Sequence, residues 1–384
     1  MIDQNSNGDR NQIIGQVLDS IIIYYAVAVT NNYFAVEADS STAKTKDPLI
    51  GANPYKGLSA FQETDGDRFF GRDSEIKELW NKFFSLHKDG SATRLLTIYG
   101  PSGSGKSSLV RAGLIPELAR KPLSVREHTR VAVMLPGTRP LEALGLVLAR
   151  IATNDRSPVE KGEEFKRVLE VKNKDGRYEG LCKIANALLN IESQPLIVVV
   201  DQLEELFTLC EDPAEREAFI GNLLYATADQ SKRVAAIVTL SSDFLREAQQ
   251  YSLDKSILKN GLLVMAMEPD DLQQAIVEPA KLAWDLKNLK WYKPEIERHL
   301  FDVSTVNLLI KETQGRDGAL PLLQFALEQI WVGLQEGNAP AKTLEAIGGV
   351  TGALNKKAQR IYESLEPAEQ KIAQIGRASC RERV

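Results

Sequence analysis

The sequence predicts an α/β fold whose central sheet is parallel and buried on both faces. Three observations carry this. Five short runs rich in β-branched residues recur at 95–99, 131–135, 196–200, 234–240 and 262–265. Stretches with the apolar spacing of helices separate them. The runs themselves are apolar almost from end to end, without the alternation that a sheet with one wet face would show. At 384 residues the chain has length for two or three domains of roughly 150 residues each. Its 43% hydrophobic and 26% charged residues exclude a disordered or collagenous chain.

Taken in order, residues 1–52 read as a distinct β-rich piece, with runs at 21–29 and 33–36 and a polar linker, 40–48, closed by Pro48. The run 21–29 is the longest apolar stretch at nine residues, well short of the ~20 that a membrane-spanning helix needs. Acidic and amide residues precede it where a signal peptide would be basic, so no membrane association is expected. Residues 53–267 hold the α/β pattern. After Met267 the strands stop. Pro269 opens a helical pattern with Leu272 and Ile276 on one face, and Pro321 opens another with Leu323, Ala326, Leu327 and Ile330, so 268–338 is read as a helical part. Beyond Gly348 and Gly349, a helix within 339–374 places Leu354, Ala358, Ile361, Tyr362 and Leu365 on one face. Three cysteines, Cys182, Cys210 and Cys380, lack metal-ligand spacing and fit a reducing, cytoplasmic compartment. The balance of 47 basic against 52 acidic residues, a net −5, argues against a nucleic-acid module held by bulk charge.

One motif carries chemistry without a mismatch. Gly100-Pro101-Ser102-Gly103-Ser104-Gly105-Lys106-Ser107 fits G-x-x-x-x-G-K-[ST]. It follows an apolar run and precedes Leu109, Val110, Gly113 and Leu114 at helical spacing, which is the setting of a phosphate-binding loop. Its glycines let successive backbone N–H groups converge on phosphate oxygens at a positive helix end. Lys106 is expected to reach the β and γ phosphates and the Ser107 hydroxyl to take a Mg²⁺ position, with Ser108 beside it. The ligands implied are ATP or ADP with Mg²⁺.

The run 196–200 ends in Asp201, a carboxylate on a rigid strand tip, which suits a second Mg²⁺ anchor. A further strand, 131–135, lies between the loop and this tip, as in P-loop ATPases of the additional-strand type. Hydrolysis also needs a group to orient or deprotonate water. Gln202 can orient water without accepting its proton. Glu204 and Glu205 lie off the apolar stripe of Leu203, Leu206, Phe207 and Cys210, and either is placed to be the base. The plainer alternative is a charged first turn at a helix N-terminus.

Four ordered motifs carry a family resemblance. Asn53-Pro54-Tyr55-Lys56-Gly57-Leu58 with Phe69-Phe70-Gly71-Arg72, the loop at 100–107, Asp201-Gln202-Leu203-Glu204-Glu205-Leu206-Phe207, and Ala319-Leu320-Pro321-Leu322-Leu323-Gln324-Phe325 together resemble the novel STAND P-loop NTPases. These are bacterial signal-transduction ATPases that often carry WD40 repeats after the NTPase module. The resemblance covers about 53–374. It implies an NTPase core with a five-stranded parallel sheet of the additional-strand type, then a helical lid and a partial winged helix that locks the ADP-bound resting state. It also implies that Phe70, Gly71 and Arg72 pack near the adenine and ribose, and that Pro321 sits in the lid capping the adenine. From the residues alone, Phe70 reads as a core aromatic and Pro321 as a helix-opening proline. One departure stands out. Ser241 occupies a position where the family usually has arginine, so the cation that would sense the γ-phosphate is replaced by a hydroxyl; Arg246, one turn on, is the candidate substitute.

Residues 375–384 break the preceding helical pattern and read like a translated sequencing adaptor, so the gene is expected to be cut within the winged helix, leaving out a C-terminal sensor. The function expected is an ATP-binding and hydrolysing signal-transduction switch, ADP-locked at rest. It would become homo-oligomeric when that sensor meets its protein partner or ligand. A non-hydrolysing, nucleotide-bound scaffold is the alternative that Ser241 and Gln202 support, and a DNA-remodelling ATPase is one that the net acidity counts against.

Overall fold

Two short strands at the N-terminus, β1 (Gly15–Leu18) and β2 (Ile21–Tyr25), form an antiparallel pair. The five runs read from the sequence are all strands: β3 (Leu95–Gly100), β4 (Thr129–Met134), β5 (Leu196–Val200), β6 (Val234–Ser241) and β7 (Gly261–Leu263). They run parallel to their neighbours in the order β4-β5-β6-β3-β7. This computed structural model describes residues 15–18, 21–25, 51–88, 93–121, 129–155, 158–188, 191, 195–253, 257, 259–283, 300–366, 369–370 and 372. The run 33–36, the linker 40–48 and residues 375–384 lie outside them.

The five-stranded sheet is extended to seven. β2 pairs with β4 in parallel, Ile23 opposite Val131, so the N-terminal strands continue the core sheet at one edge. The open side of β4 presents N–H and C=O groups that need partners, and an apolar β-branched run is suited to supply them. Ile23 is fully buried there.

The lack of alternation within the strands has a direct cause. Leu196, Val198 and Val200 of β5 pack on one face, with helices α3 (Pro140–Thr153), α4 (Val159–Glu170), α5 (Gly180–Ala187) and α6 (Pro213–Ala228). Ile197 and Val199 pack on the other, against Leu79 and Phe83 of α1 (Asp73–Lys88) and against helix α2. That last helix runs from Lys106–Ser108 through a π-helical segment, Leu109–Leu114, to Ile115–Arg120. Every residue of β5 is fully buried, and each such aliphatic side chain contributes about 1.5–3 kcal/mol on leaving water.

The helical part begins as expected at Pro269. Helices α7 (Pro269–Ala283), α8 (Val303–Thr313), α9 (Ala319–Gln335), α10 (Pro340–Ile347) and α11 (Gly349–Ser364) share one apolar cluster around the fully buried Trp331. Leu323, Ala326, Leu327 and Ile330 face that core. The helix read as opening at Pro321 begins two residues earlier, after Gly318 in a left-handed conformation (φ 71°). The face foreseen for α11 joins the core only at its start, where Leu354 packs partly buried against this cluster. Its buried residues are Val350 and Ala353, Ala358 is exposed, and Ile361 is 44% exposed. Among the described residues, no helix is long and apolar enough to cross a membrane.

Candidate functional site

The phosphate-loop motif joins β3 to α2 as its spacing foretold. Gly103 (φ 74°) and Gly105 (φ 90°) take left-handed conformations that a side chain would strain. A Cβ on Gly103 would also stand 2.8 Å from the Cα of Gly318 in the helical part. Lys106 is buried, and its Nζ donates to the carbonyls of Gly100 (2.9 Å) and Pro101 (2.8 Å). Burial lowers its pKa, opposed by the carboxylates of Glu204, Asp201 and Asp243.

At the tip of β5 the backbone is sewn to both neighbouring strands: Asp201 N–H donates to Met134 O and Leu203 N–H to Thr239 O, each at 2.9 Å. This places Asp201 Oδ1 to accept from the Ser107 hydroxyl at 2.8 Å and from the Thr239 hydroxyl at 2.7 Å. Thr239 also accepts the N–H of Gln202 at 2.7 Å, and Gln202 is itself left-handed at φ 56°. A non-glycine residue in that region carries backbone strain of about 1–3 kcal/mol, held by the surrounding bonds. For Mg²⁺ the residues fit. A serine hydroxyl and a carboxylate are hard oxygen donors, and they converge beside the loop. The second carboxylate oxygen of Asp201 has no hydrogen-bond partner among the described residues.

The two neighbouring glutamates, equivalent in sequence, are separated in space. Glu204 lines the cavity described below, and its Oε2 accepts the N–H of Ser241 at 3.1 Å. Glu205 turns the other way, accepting the N–H of Gly137 at 3.1 Å, and burial raises its pKa. The Ser241 hydroxyl donates to Asp243 at 3.1 Å. Arg246 is exposed and does not line the cavity.

A cavity of about 320 Å³ opens from the loop toward the helical part. Ser102, Gly103, Gly105, Lys106, Ser107, Ser108, Gln202, Glu204 and Thr239 line one end; Phe70, Met267, Pro279, Pro321, Leu323 and Gln324 line the other, under the segment Gly57 to Phe61. Phe70, Arg72 and Pro321 are thus brought to the loop across long stretches of sequence. Gly100, Pro101, Ser104 and Gly71 do not line this space. Pro101 and Ser104 sit in the seam between the loop and residues 313–320. Gly71 (φ 81°) is pressed against Asp271 O, 2.3 Å from where a Cβ would be. Arg72 is a buried clamp that donates to Ser104 O (3.1 Å), Met265 O (2.9 Å) and Glu75.

Two contributors were missed by sequence reasoning. Thr239 completes the Asp201 cluster, and its only signal was a hydroxyl within an apolar strand beside β5. Segment 51–65 straps the cavity. Phe61 N–H donates to Ser108 Oγ (3.1 Å), and Glu63 pairs with Arg111 of α2 at 2.8 Å in a buried bridge. On the side of the helical part, Trp331 donates to Gly51 O (3.2 Å), Asn53 to Glu328 O (3.3 Å) and the Tyr55 hydroxyl to Ile276 O. Tyr55 packs edge-on against Trp331 with ring centroids 5.9 Å apart.

A family model described as Novel STAND NTPase 1 matches residues 54–375. Among solved structures, the chain is similar to the ORC2 protein of Aeropyrum pernix in its ADPNP–ADP complexes, with a TM-score of 0.48 and 16% identity over 71% of this chain and 67% of that one. It is similar to the ORC1 protein of the same organism in complex with DNA, with a TM-score of 0.45 and 16% identity over 78% and 70%. For CDC6P of Pyrobaculum aerophilum the TM-score is 0.44, with 15% identity over 70% and 63%. No curated relative matches the chain.

Proposed function

Because the chain belongs to the novel STAND NTPase 1 family, we propose that it is an ATP-operated switch that hydrolyses nucleotide slowly and signals through its helical lid. The observation that carries this reading is the meeting of Ser107 and Asp201, 94 residues apart, at 2.8 Å, beside Lys106 and under a cavity roofed by lid and strap. Lys106 would exchange its two loop carbonyls for phosphate oxygens, while the backbone N–H groups of the loop hold the remaining charge. Ser107 and Asp201 would hold Mg²⁺, which when bound neutralises charge on the phosphates. Glu204 faces the same space and would take the proton of the attacking water, which Gln202 orients. Glu205, bonded to Gly137, stands outside this role.

The lid touches the loop through Gly318, Leu320 and Pro321, so a change in phosphate occupancy would be felt at the start of α9. An ADP-locked resting state, oligomerisation on activation and a C-terminal sensor for a protein partner or ligand complete the reading on the strength of the family. Such a switch needs only a few kcal/mol of differential contact between its states.

Single-turnover ATP hydrolysis by Glu204→Gln and Glu205→Gln tests the assignment. Glu204→Gln should slow the step by roughly 10²–10⁴-fold with nucleotide binding retained, and Glu205→Gln should change it far less. Equal trace rates in the parent and both variants would favour the scaffold reading, which has its own support in the bond that ties Glu204 to the N–H of Ser241 and in the absence of a cation at position 241. DNA-stimulated turnover with a steep salt dependence would replace the switch by a remodelling activity.

A further inference from the structure

Beyond the phosphate loop and the Pro321 that touches it, the cavity is walled mainly by apolar side chains, among them Phe70, Met267, Pro279 and Leu323. Gln324 is a polar exception, presented one turn beyond Pro321 on the long helix α9. Three other polar residues on this wall are placed differently: Ser59 is exposed, Arg68 lies toward Asp67, and Arg72 is turned to the carbonyls of Ser104 and Met265. The Gln324 side chain is oriented by the strap, since its Oε1 accepts the N–H of Lys56 at 3.4 Å. A backbone N–H can only donate, so the carboxamide must turn its oxygen there and its NH₂ group away. That NH₂ group has no partner among the described residues. An apolar slot with one oriented donor is how a site selects among flat, nitrogen-rich rings.

We propose that Gln324 reads the nucleotide base, donating its amide N–H to N1 of adenine, so that the site takes adenosine in preference to guanosine nucleotides; this rests on the nucleotide-binding reading above. Adenine presents a bare acceptor at N1. Guanine carries a proton there, which would set donor against donor and leave both N–H groups unpaired in a water-poor slot. The strap is part of the reading head, because the Lys56 N–H decides which end of the carboxamide faces the base.

Calorimetric titration of the full chain with ADP and with GDP, in Mg²⁺, tests this. The parent protein should bind ADP about tenfold or more tightly than GDP, the worth of one good hydrogen bond to a ring nitrogen. Gln324→Met removes the donor and should weaken ADP by about tenfold while GDP binds somewhat more tightly, because only guanine's own N–H is then left unpaired. Gln324→Glu keeps an acceptor for Lys56 N–H but presents a second acceptor to the base, so ADP should weaken and GDP strengthen, narrowing or inverting the preference. An ADP-to-GDP ratio that is the same in all three proteins, or a parent without preference, overturns the assignment. Should Gln324→Glu fail to fold, the ratio in Gln324→Met decides alone. A folded parent that binds neither nucleotide would sink the nucleotide site itself, a result distinct from ADP binding with an unmoved ratio.

Discussion

The two ends of the cavity are built on different physical plans. The phosphate end lies at the carboxyl tips of β3, β5 and β6, adjacent strands of one sheet, and its groups are fixed by backbone geometry: left-handed glycines, strand tips and N–H groups at the head of α2. The opposite end is assembled from segments about 57–70, 267–279 and 320–324, held together by side-chain packing and a few long-range hydrogen bonds. The first plan sets the geometry of the loop locally, through the backbone of one contiguous stretch and its strand. The second makes the fit depend on the relative placement of strap, helical part and core, which is what the proposed switch would require. The strap is bonded to both sides, to α2 through Ser108 and Arg111 and to the lid through Asn53, Tyr55 and Gly51. If the helical part moves as the proposed switch requires, it has to stretch or carry the strap.

Lys106→Ala is the sharpest way to separate the ends. Removing the cation proposed to meet the phosphates should weaken nucleotide binding by roughly 100-fold or more, read by calorimetry, on a protein whose thermal transition shows that it is still folded. Retained affinity would mean that the base end dominates and the comparison is drawn the wrong way round.

A smaller effect is expected from Thr239→Val, which keeps shape and burial but strips the donor to Asp201 and leaves the N–H of Gln202 unpaired. Loss of about 1–3 kcal/mol of stability, measured in denaturant, should accompany a weaker Mg²⁺ dependence of nucleotide binding. An unchanged Mg²⁺ dependence would remove Thr239 from the cluster.

At the other end, Tyr55→Phe deletes the hydroxyl bonded to Ile276 O and should cost about 1 kcal/mol. If the strap couples lid to loop, the lid region around Trp331 should also become more accessible to hydrogen exchange. Protection that stays the same there would argue for a passive strap.

Asp302 supplies the smallest test, confined to the lid. It caps α8, accepting from Thr305 N–H at 2.9 Å, and the Ser304 and Thr305 hydroxyls lower its pKa from 3.8 to about 2. Because the folded value lies below the unfolded one, its contribution is present above about pH 4 and is lost as pH falls toward about 2. Asp302→Ala should cost about 1 kcal/mol at neutral pH and flatten the acid limb of stability in that window, with phosphate-end binding unaffected.

How far each end can be read without the fold follows from the same contrast. The loop from Gly100 to Ser107 is contiguous, so its chemistry and local geometry are written in one stretch. The five central strands were equally plain, because a run apolar at every position has few other places to go. Glu204 and Glu205 could not be told apart, since adjacent residues leaving one strand tip differ only in which neighbour they meet: Ser241 of β6 for the first, Gly137 after β4 for the second. Thr239 was visible as a hydroxyl in a strand, and its purpose depended on β6 lying beside β5. The apolar pattern of α11 marked a face but not what would cover it.

The sequence by itself determined the layered α/β core, the phosphate loop, the strand-tip carboxylate and the helical region that follows, because each is encoded by short-range spacing and by the period of apolar residues. Tertiary structure alone decided the order of the strands, the joining of β2 to the sheet, the divergence of the two glutamates and the union of strap, lid and loop around one cavity. Those outcomes depend on contacts between residues tens to hundreds of positions apart, such as Trp331 with Gly51 across 280, and local pattern carries no record of which distant partner will complete a hydrogen bond or a packed face.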